Sequence, residues 1–475
     1  MNLHYSNPTM ACYVNDNDAL VPEIWAQEGL AILEENMVMA RLVHRDFSME
    51  VANFGDVVNT RRPGTFTAKR KVDTDDIVEQ NAVATNVPVS LDQHVYVSFC
   101  IRDGEASKSF QDLVEMYLTP AAGEMASAVD RILCGQAPQF LANEVGSLTE
   151  MTETTAKDTM LEAREKMNVN KVYSLGRNLV LSAASETDLL KTELFISAEK
   201  RGDAGTALRD ASLGRVLGFD TYLDQNVPSI GKASSDYADG ETLAIEPLAE
   251  TSLSVNVASY VVVDGEYVWV EGEGKPHVVD SATDDGTNTS VIVMTAGLSA
   301  AVAANSVVTV YKACYADNAT TYAVGYSKGI GVDDGADGVL AKPPQRGQII
   351  SFGVGAARHT YTIISVAVDP DDATRHLIWL DRPLTVAVAN NAAAFPGPAG
   401  SFNLAFHRDA LALVTRPLAL PNTALGVRSA VGAYNDVAMR VSMQYNITRQ
   451  GTIVTLDLLC GVALLDANLG CLLLG

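Results

Sequence analysis

The first strong periodicity along the chain is helical. In PEIWAQEGLAILEENMVMARLVHRD (22–46), Leu30, Leu33 and Met37 recur at i, i+3 and i+7, while Glu28, Glu35 and Arg41 lie on other faces. Val38 and Leu42 widen the apolar stripe and Pro22 suits a first helical position, so the spacing predicts an amphipathic helix that needs a surface to pack on. The period then changes to two. In VPVSLDQHVYVSFCI (87–101), Val89, Leu91, Val95, Val97 and Phe99 alternate with polar partners. With VVNTRRPGTFTAKRKV and the acidic turn at Asp73, Asp75 and Asp76, this predicts a long two-stranded hairpin over about 55–102, an element that is marginal alone in water.

Helical period returns at Ser109, whose spacing to Asp112 is that of a capping box. Phe110, Leu113, Val114, Tyr117, Leu118, Ala121, Met125, Val129 and Ile132 carry the stripe to residue 134, with a kink expected at Pro120, which lacks a backbone donor. Residues 146–230 alternate: a helix from Ala156 to Met167, a short apolar strand at 178–183, a helix capped by Ser185 and running to Lys200, then the glycine-punctuated LGRVLGFDTYLDQNVPS. This predicts a small α/β unit.

From about 231 to 400 helix starts vanish and Val, Thr, Ala, Gly and Asp dominate, as in YVVVDGEYVWVEG and HTYTIISVAV. That is the pattern of an all-β barrel or sandwich. IVMTAGLSAAVAAN (292–305) matches IWLDRPLTVAVANN (378–391), with Leu298 over Leu384 and Val302 over Val388. Gly265-Glu266-Tyr267-Val268 resembles Gly347-Gln348-Ile349-Ile350, so two tandem β modules are expected. In the last 75 residues, FNLAFHRDALALVTRPLALP reads as a helix and is followed by strands joined by a turn at Gln450-Gly451. LLCGVALLDANLGCLLLG (458–475) has the length of a membrane span, but Asp466 and Asn468 at its centre favour a buried strand and turn.

Composition sharpens this picture. The 475 residues are 47% apolar and 19% charged, enough for packed cores throughout and about three domains' worth of chain. Net charge is −24, from 34 basic and 58 acidic residues; the 231–400 stretch holds nine basic against 20 acidic, so −11 of it. Such a chain repels a phosphate backbone and an anionic membrane. Six scattered cysteines without CxxC spacing suit a reducing compartment, and the N-terminal sequence lacks the pattern of a secretory signal.

Candidate chemistry is thin. Gly325-Tyr326-Ser327-Lys328-Gly329 spells GxSxG, but the following GIGVDDGADG is a glycine-acid loop where a nucleophile elbow needs a helix. The seven histidines show no HxxxH or HExxH, and the Asp369-Pro370-Asp371-Asp372 loop lacks the glycine and distal glutamate of an EF-hand; Asp333, Asp334 and Asp337 read as solvated turns too. No phosphate-cradling glycine motif is present, so no catalytic, cofactor or metal residues are expected. The feature that stands out is a basic run: Arg61, Arg62, Lys69, Arg70 and Lys71 give five positive charges and no negative one between 61 and 71. It reads as a solvated strand face, as a contact with an acidic surface of an identical neighbour, or as a contact with enclosed nucleic acid.

The order of parts carries a resemblance. GDVVNTRRPGTFTAK (55–69), VPVSLDQHVYVSF (87–99), FQDLVEMYLTPAAGEMASAVD (110–130), LGRVLGFDTYLDQNVPS (213–229), FHRDALAL (406–413) and VSMQYNITRQGTIVTLDLLCGVALLD (441–466) together resemble the major capsid proteins of tailed bacteriophages, closest to short-tailed-phage coat proteins with a β-barrel insertion domain. The resemblance implies an α+β, Hong Kong-type capsid fold: an N-terminal arm (1–54), an extended β-hairpin loop (55–106), the spine helix of a peripheral domain (107–145), an axial α/β domain (146–230), an all-β insertion (231–400) and a return segment (401–475). It further implies a non-enzymatic shell protein of the virion, assembled in the host cytoplasm into hexamers and pentamers around loosely held double-stranded DNA. Its partners are then itself, a portal protein, a scaffolding protein and a decoration protein, with no membrane; the early position of the arm helix suggests that the scaffolding protein is separate. The insertion, with two β modules where one is usual, departs from the pattern. A phage tail or surface adhesin whose β modules bind a cell-surface partner is the alternative.

Overall fold

The computed structural model describes residues 22–45, 55–62, 68, 70–71, 76–77, 79, 85–102, 104, 114–147, 155–197, 211–273, 275–317, 321–335, 338–421, 426–434 and 437–475. Helix α1 (Pro22–Asn36) buries Trp25, Leu30 and Leu33, and the short α2 (Met39–Leu42) buries Met39 and Ala40. Strands β1 (Val57–Arg62) and β2 (Thr85–Ser90) pair antiparallel as a two-stranded sheet, with Val57 opposite Ser90 and Arg62 opposite Thr85. β3 (Gln93–Arg102) leaves that hairpin. The expected single strand over 87–101 is therefore split at Leu91-Asp92: Leu91 is buried, and beyond it the chain joins a different sheet.

The spine begins as a π-turn, Val114–Leu118, and continues as α3 (Thr119–Cys134). Pro120 follows directly on the π-turn, an interruption of the regular ladder that accommodates its missing donor, at the place where the kink is expected. The Ser109 start lies outside the described residues. The face of α3 formed by Ala122, Ala126, Asp130 and Cys134 is buried along its length.

β4 (Glu144–Gly146), α4 (Ala156–Val169), β5 (Arg177–Leu181), α5 (Ala183–Lys191), α6 (Glu193–Ile196), β6 (Arg215–Val216), β7 (Phe219–Leu223) and β8 (Ser229–Ile230) form the α/β unit. The cap of α5 is Ser182, whose Oγ accepts from Ser185 N at 3.2 Å, and extended Thr192 ends the helix at Lys191. The expected cap at Ser185 and the single helix to Lys200 are corrected accordingly.

Two closed barrels follow. The first comprises β9 (Tyr237–Thr242), β10 (Ser252–Val257), β11 (Tyr267–Val270), β12 (His277–Asp284), β13 (Thr289–Met294) and β14 (Val307–Tyr311), and the second β15 (Cys314–Ala316), β16 (Ile330–Asp333), β17 (Ile349–Phe352), β18 (His359–Val368), β19 (His376–Leu380) and β20 (Ala392–Pro396). Their circular strand order is the same and each has its own apolar core. Even the irregular hydrogen bonds repeat. Ala249 N donates to Leu298 O at 2.9 Å and Asn305 N to Thr242 O at 2.8 Å; in the second barrel Gly325 N donates to Leu384 O and Asn391 N to Ala316 O, both at 2.7 Å. Asn305 and Asn391 share a left-handed φ, 62° and 57°.

The chain returns through β21 (Gly400–His407), β22 (Leu411–Arg416), β23 (Arg428–Tyr434), β24 (Val437–Asn446), β25 (Gly451–Leu464) and β26 (Gly470–Leu474). The expected helix over FNLAFHRDALALVTRPLALP is two strands. β21 is sandwiched between two cores, Phe402, Leu404 and Phe406 facing one and Ala405 the other, so its apolar run shows no alternation. Among the described residues one sheet runs β4-β26-β21-β5-β7-β6 with β8 on β21, and another runs β22-β25-β24-β23 with β3 on β25. The β8–β21 pairing, Ile230 opposite Gly400 and Ser229 opposite Ser401, clamps the two ends of the barrel segment together. Asp466 and the strand β26 after it lie in this folded body, and no described helix is long and apolar enough to cross a membrane.

The hairpin is seated where β2 crosses the second sheet. Val89 and Leu91 pack with Ala412, Val414 and Leu459, and a Cβ at Gly461 would lie 2.2 Å from Ser90 O. Gly461→Ala is expected to displace the Ser90 backbone. Amide exchange over 85–92 should rise at least about tenfold, the change about 1.4 kcal/mol of lost protection would give, with both barrels unchanged. Unchanged exchange over 85–92 would show that the close approach does not hold the hairpin.

Candidate assembly surface

Below the hairpin's seat the backbone closes on itself: Gly55 N donates to Leu91 O and Leu91 N to Asp56 O, both at 2.8 Å. Of the basic run, Arg61 and Arg62 end β1, Arg70 and Lys71 are exposed, and Lys69 lies outside the described residues. The hairpin thus carries four of the five positions on described backbone. Ile77, in the connection between β1 and β2, is 80% exposed. Large apolar side chains are also bare at two other extremities: Val169, Tyr173 and Leu175 after α4, and Tyr445 and Ile447 at the turn between β24 and β25. Monomeric surfaces scatter such residues singly, whereas these are grouped at the ends of elements.

Helices α1 and α2 are fastened to α3 by Asp130. Its carboxylate, buried on α3, accepts from Val38 N at 2.7 Å and Ala40 N at 3.1 Å, so it holds the first turn of α2. Burial pushes the Asp130 carboxyl up to about 7, and the charge of Asp224 pushes the same way; the backbone donors of Val38, Ala40 and Met39 oppose them. Sequence reading missed this residue, although its signal was present: an acid at the i+4 position of a small-residue series, Ala122, Ala126, Asp130, Cys134.

The barrels are joined to each other and to the body by polar contacts. Tyr267 Oη and Ser351 Oγ are 3.0 Å apart across the barrel–barrel boundary, and Arg358 lies over the Tyr267 ring, 4.4 Å from its centroid. Lys275 of the first barrel pairs with Glu144 at 3.0 Å. Glu266, buried and raised to about 7 by desolvation, accepts from Ala313 N at 2.7 Å and so fixes the linker between the barrels.

The remaining sequence candidates fall into turns. Gly325 has φ 83° and occupies the place of Ala249, φ 68°, in the first barrel, so GxSxG marks the turn before β16, with no helix after Ser327. Asp369 accepts from Asp371 N at 3.0 Å and pairs with Arg375. The expected solvated turn is corrected at Asp333, which is the buried last residue of β16 and accepts from Gly335 N; Asp334 accepts from Gly338 N, and Asp337 lies outside the described residues. Cys100, Cys134, Cys314, Cys460 and Cys471 are free thiols.

No family model matches the chain, and no curated protein sequence does. Solved structures resemble it at low identity. One from Mycobacterium phage Che8 is similar over 92% of this chain and 90% of its own, at 12% identity and a TM-score of 0.40. The capsid structure of cyanophage P-SCSP1u is similar over 92% and 88%, at 9% identity and 0.42. The mature capsid of bacteriophage PhiM1 is similar over 92% and 86%, at 10% identity and 0.40.

Asp130 gives stability a pH dependence of definite sign. The folded chain keeps a proton up to about pH 7 that the unfolded chain releases near 3.8, so this contribution is full below 3.8 and is lost as pH rises through 7. Between pH 5.5 and 8.0 the loss is about 2 kcal/mol. Asp92 and Asp381, both raised to about 6, act in the same direction. The melting midpoint should be higher at pH 5.5 than at 8.0, and Asp130→Asn should shrink the difference; an equal difference in that variant would contradict the assignment.

Proposed function

We propose that the chain is the major capsid protein of a tailed bacteriophage, a structural subunit that self-assembles into the hexamers and pentamers of an icosahedral shell around double-stranded DNA. The observation that carries this reading is the hairpin β1–β2. It is a two-stranded sheet packed on the body through Val89 and Leu91, and beyond that seat it carries exposed Arg70, Lys71 and Ile77. Such an element is marginal in isolation and gains stability when a neighbouring subunit covers it. The bare apolar groups at 169–175 and 445–447 supply further surfaces for copies of the same chain.

On this reading residues 1–54 are the arm, 55–106 the extended loop, 107–145 the spine of a peripheral domain and 146–230 the axial domain. Residues 231–400 are an insertion, and 401–475 complete the body. The basic run, Arg61, Arg62, Lys69, Arg70 and Lys71, contacts an acidic surface of an adjacent copy. A net charge of −24 leaves packaged DNA loosely held. Scaffolding, portal and decoration proteins would be its other partners.

Negative-stain microscopy of the purified chain tests the proposal: closed shells or capsomers are expected, and uniform small trimers or fibres would instead favour an adhesin. Arg61→Glu with Arg62→Glu should give folded protein that fails to assemble. Normal shells from that double variant would remove the role given to the hairpin.

A further inference from the structure

The duplicated barrels supply an internal control for how the insertion is attached. In the first barrel Thr295 N donates to Val278 O at 2.9 Å; in the second, Asp381 N donates to Thr362 O at 3.0 Å, in the same register. The backbones are equivalent and the side chains are not. Thr295 is exposed and its Oγ1 turns back to Val278 O of its own barrel, at 3.1 Å. Asp381 is buried and reaches out of its barrel.

Three elements meet at Asp381. From the end of the spine helix, Gln136 Nε2 donates to its Oδ2 at 2.9 Å, while Gly135 O accepts from Thr362 Oγ1, also at 2.9 Å. Within the barrel, Thr362 N donates to Oδ1 at 2.8 Å and Arg382 Nη1 to Oδ2 at 2.7 Å. From the base of the hairpin, Gln93 Nε2 donates to the Asp381 carbonyl at 3.3 Å. The fit is tight: a Cβ on Gly135 would lie 2.7 Å from Asp381 Cβ. The charged and titratable groups facing the site are Arg382, Asp92 and, beside Asp92, the Cys460 thiol.

We propose that Asp381 is a coupling residue, absent from the equivalent place in the first barrel, that locks the second barrel, the end of the spine helix and the hairpin base into one unit. A displacement of the insertion is thereby passed to the seat of the hairpin. A carboxyl group suits this position because its two oxygens gather donors from different elements at once. Burial raises both Asp381 and Asp92, each to about 6; the charge of Asp381 adds to the rise at Asp92, while Arg382 opposes the rise at Asp381. The lock is therefore tightest below about pH 6 and loosens as the two carboxyls ionise.

Hydrogen–deuterium exchange on the unassembled full-length chain tests this independently of the shell reading. Asp381→Thr installs the residue of the first barrel. It should raise exchange at least about tenfold over 93–96 and 135–137, a change equivalent to about 1.4 kcal/mol, while β17 keeps its protection. Because that variant also alters the barrel, Gln136→Ala is the second arm: it removes the helix-side donor to Asp381, together with contacts to Ile132 and Gln139 within its own segment, leaves every barrel residue in place, and should raise exchange over 93–96 as well. Wild-type exchange there, corrected for the intrinsic rate, should rise from pH 5.5 to 7.5, and Asp92→Asn, which leaves Asp381 alone to titrate, should reduce that rise. If exchange over 93–96 stays at the wild-type level in both Asp381→Thr and Gln136→Ala, the coupling is overturned.

Discussion

The rest of the body depends on one strand. β25 pairs with β3 along Gly451–Cys460 on one edge, and on the other with β24 along Gly451–Asp457 and then β22 along Leu459–Leu464. Just beyond the last β3 pair, at Gly461, it lets the hairpin backbone cross. The partners come from both sides of the barrel segment; Ser98 and Thr455, bonded at 3.0 Å, are 357 positions apart. Such pairing carries a high loop-closure cost, the kind that slows folding in chains rich in long-range contacts. The barrels escape that constraint. Each closes on its own local core, and the β8–β21 clamp brings their entry and exit strands together, so about 170 residues sit between two adjacent strands of the body without altering their register.

Legibility in the sequence followed the same division. Where one face is buried and the other wet, as on α1 or β3, the period gives the element and its orientation. The barrels were legible through repetition, because Leu298 and Leu384, or Val302 and Val388, occupy equal places and equal backbone bonds demand equal residues. That same repetition produced the false GxSxG: its first glycine answers a left-handed turn that Ala249 fills in the other copy. β21 was misread because both its faces are covered, which erases alternation. The break at Leu91 was passed over because the same parity resumes at Val95; polar Gln93, standing where the series calls for an apolar residue, is its mark in sequence, and the crossing over Gly461, a contact made from far along the chain, separates β2 from β3. The hairpin's basic run could be named from sequence, but its seat could not.

Buried acids occupy the joints of this molecule. Asp130 holds α1 and α2 to α3, Glu266 the linker between the barrels, and Asp381 the second barrel to the body. Each is raised chiefly by loss of water, so each pays in stability for the donors it collects near neutral pH. A strongly acidic sequence hides such residues well, since 58 carboxylates offer little reason to single out three. Only Asp130 bears a mark in the pattern, an acid in a series of small residues; Asp381 and Glu266 stand where the other barrel has the polar residues Thr295 and Gln348.

The two barrels show why the acid is used at some joints and not others. Where the first barrel hands the chain on, Glu266 meets a backbone N–H, that of Ala313, and a carboxylate accepts it. Where the second does so, Gln348 occupies the corresponding place and donates its amide to Gly397 O at 3.3 Å. A carboxylate there would face a carbonyl and repel it. The exchange of Glu for Gln therefore follows from the polarity of the group each barrel must hold, as the exchange of Thr295 for Asp381 follows from the donors at the end of the spine helix. Both cores keep their apolar character, while the polar groups at the two exits are set by what each must hold.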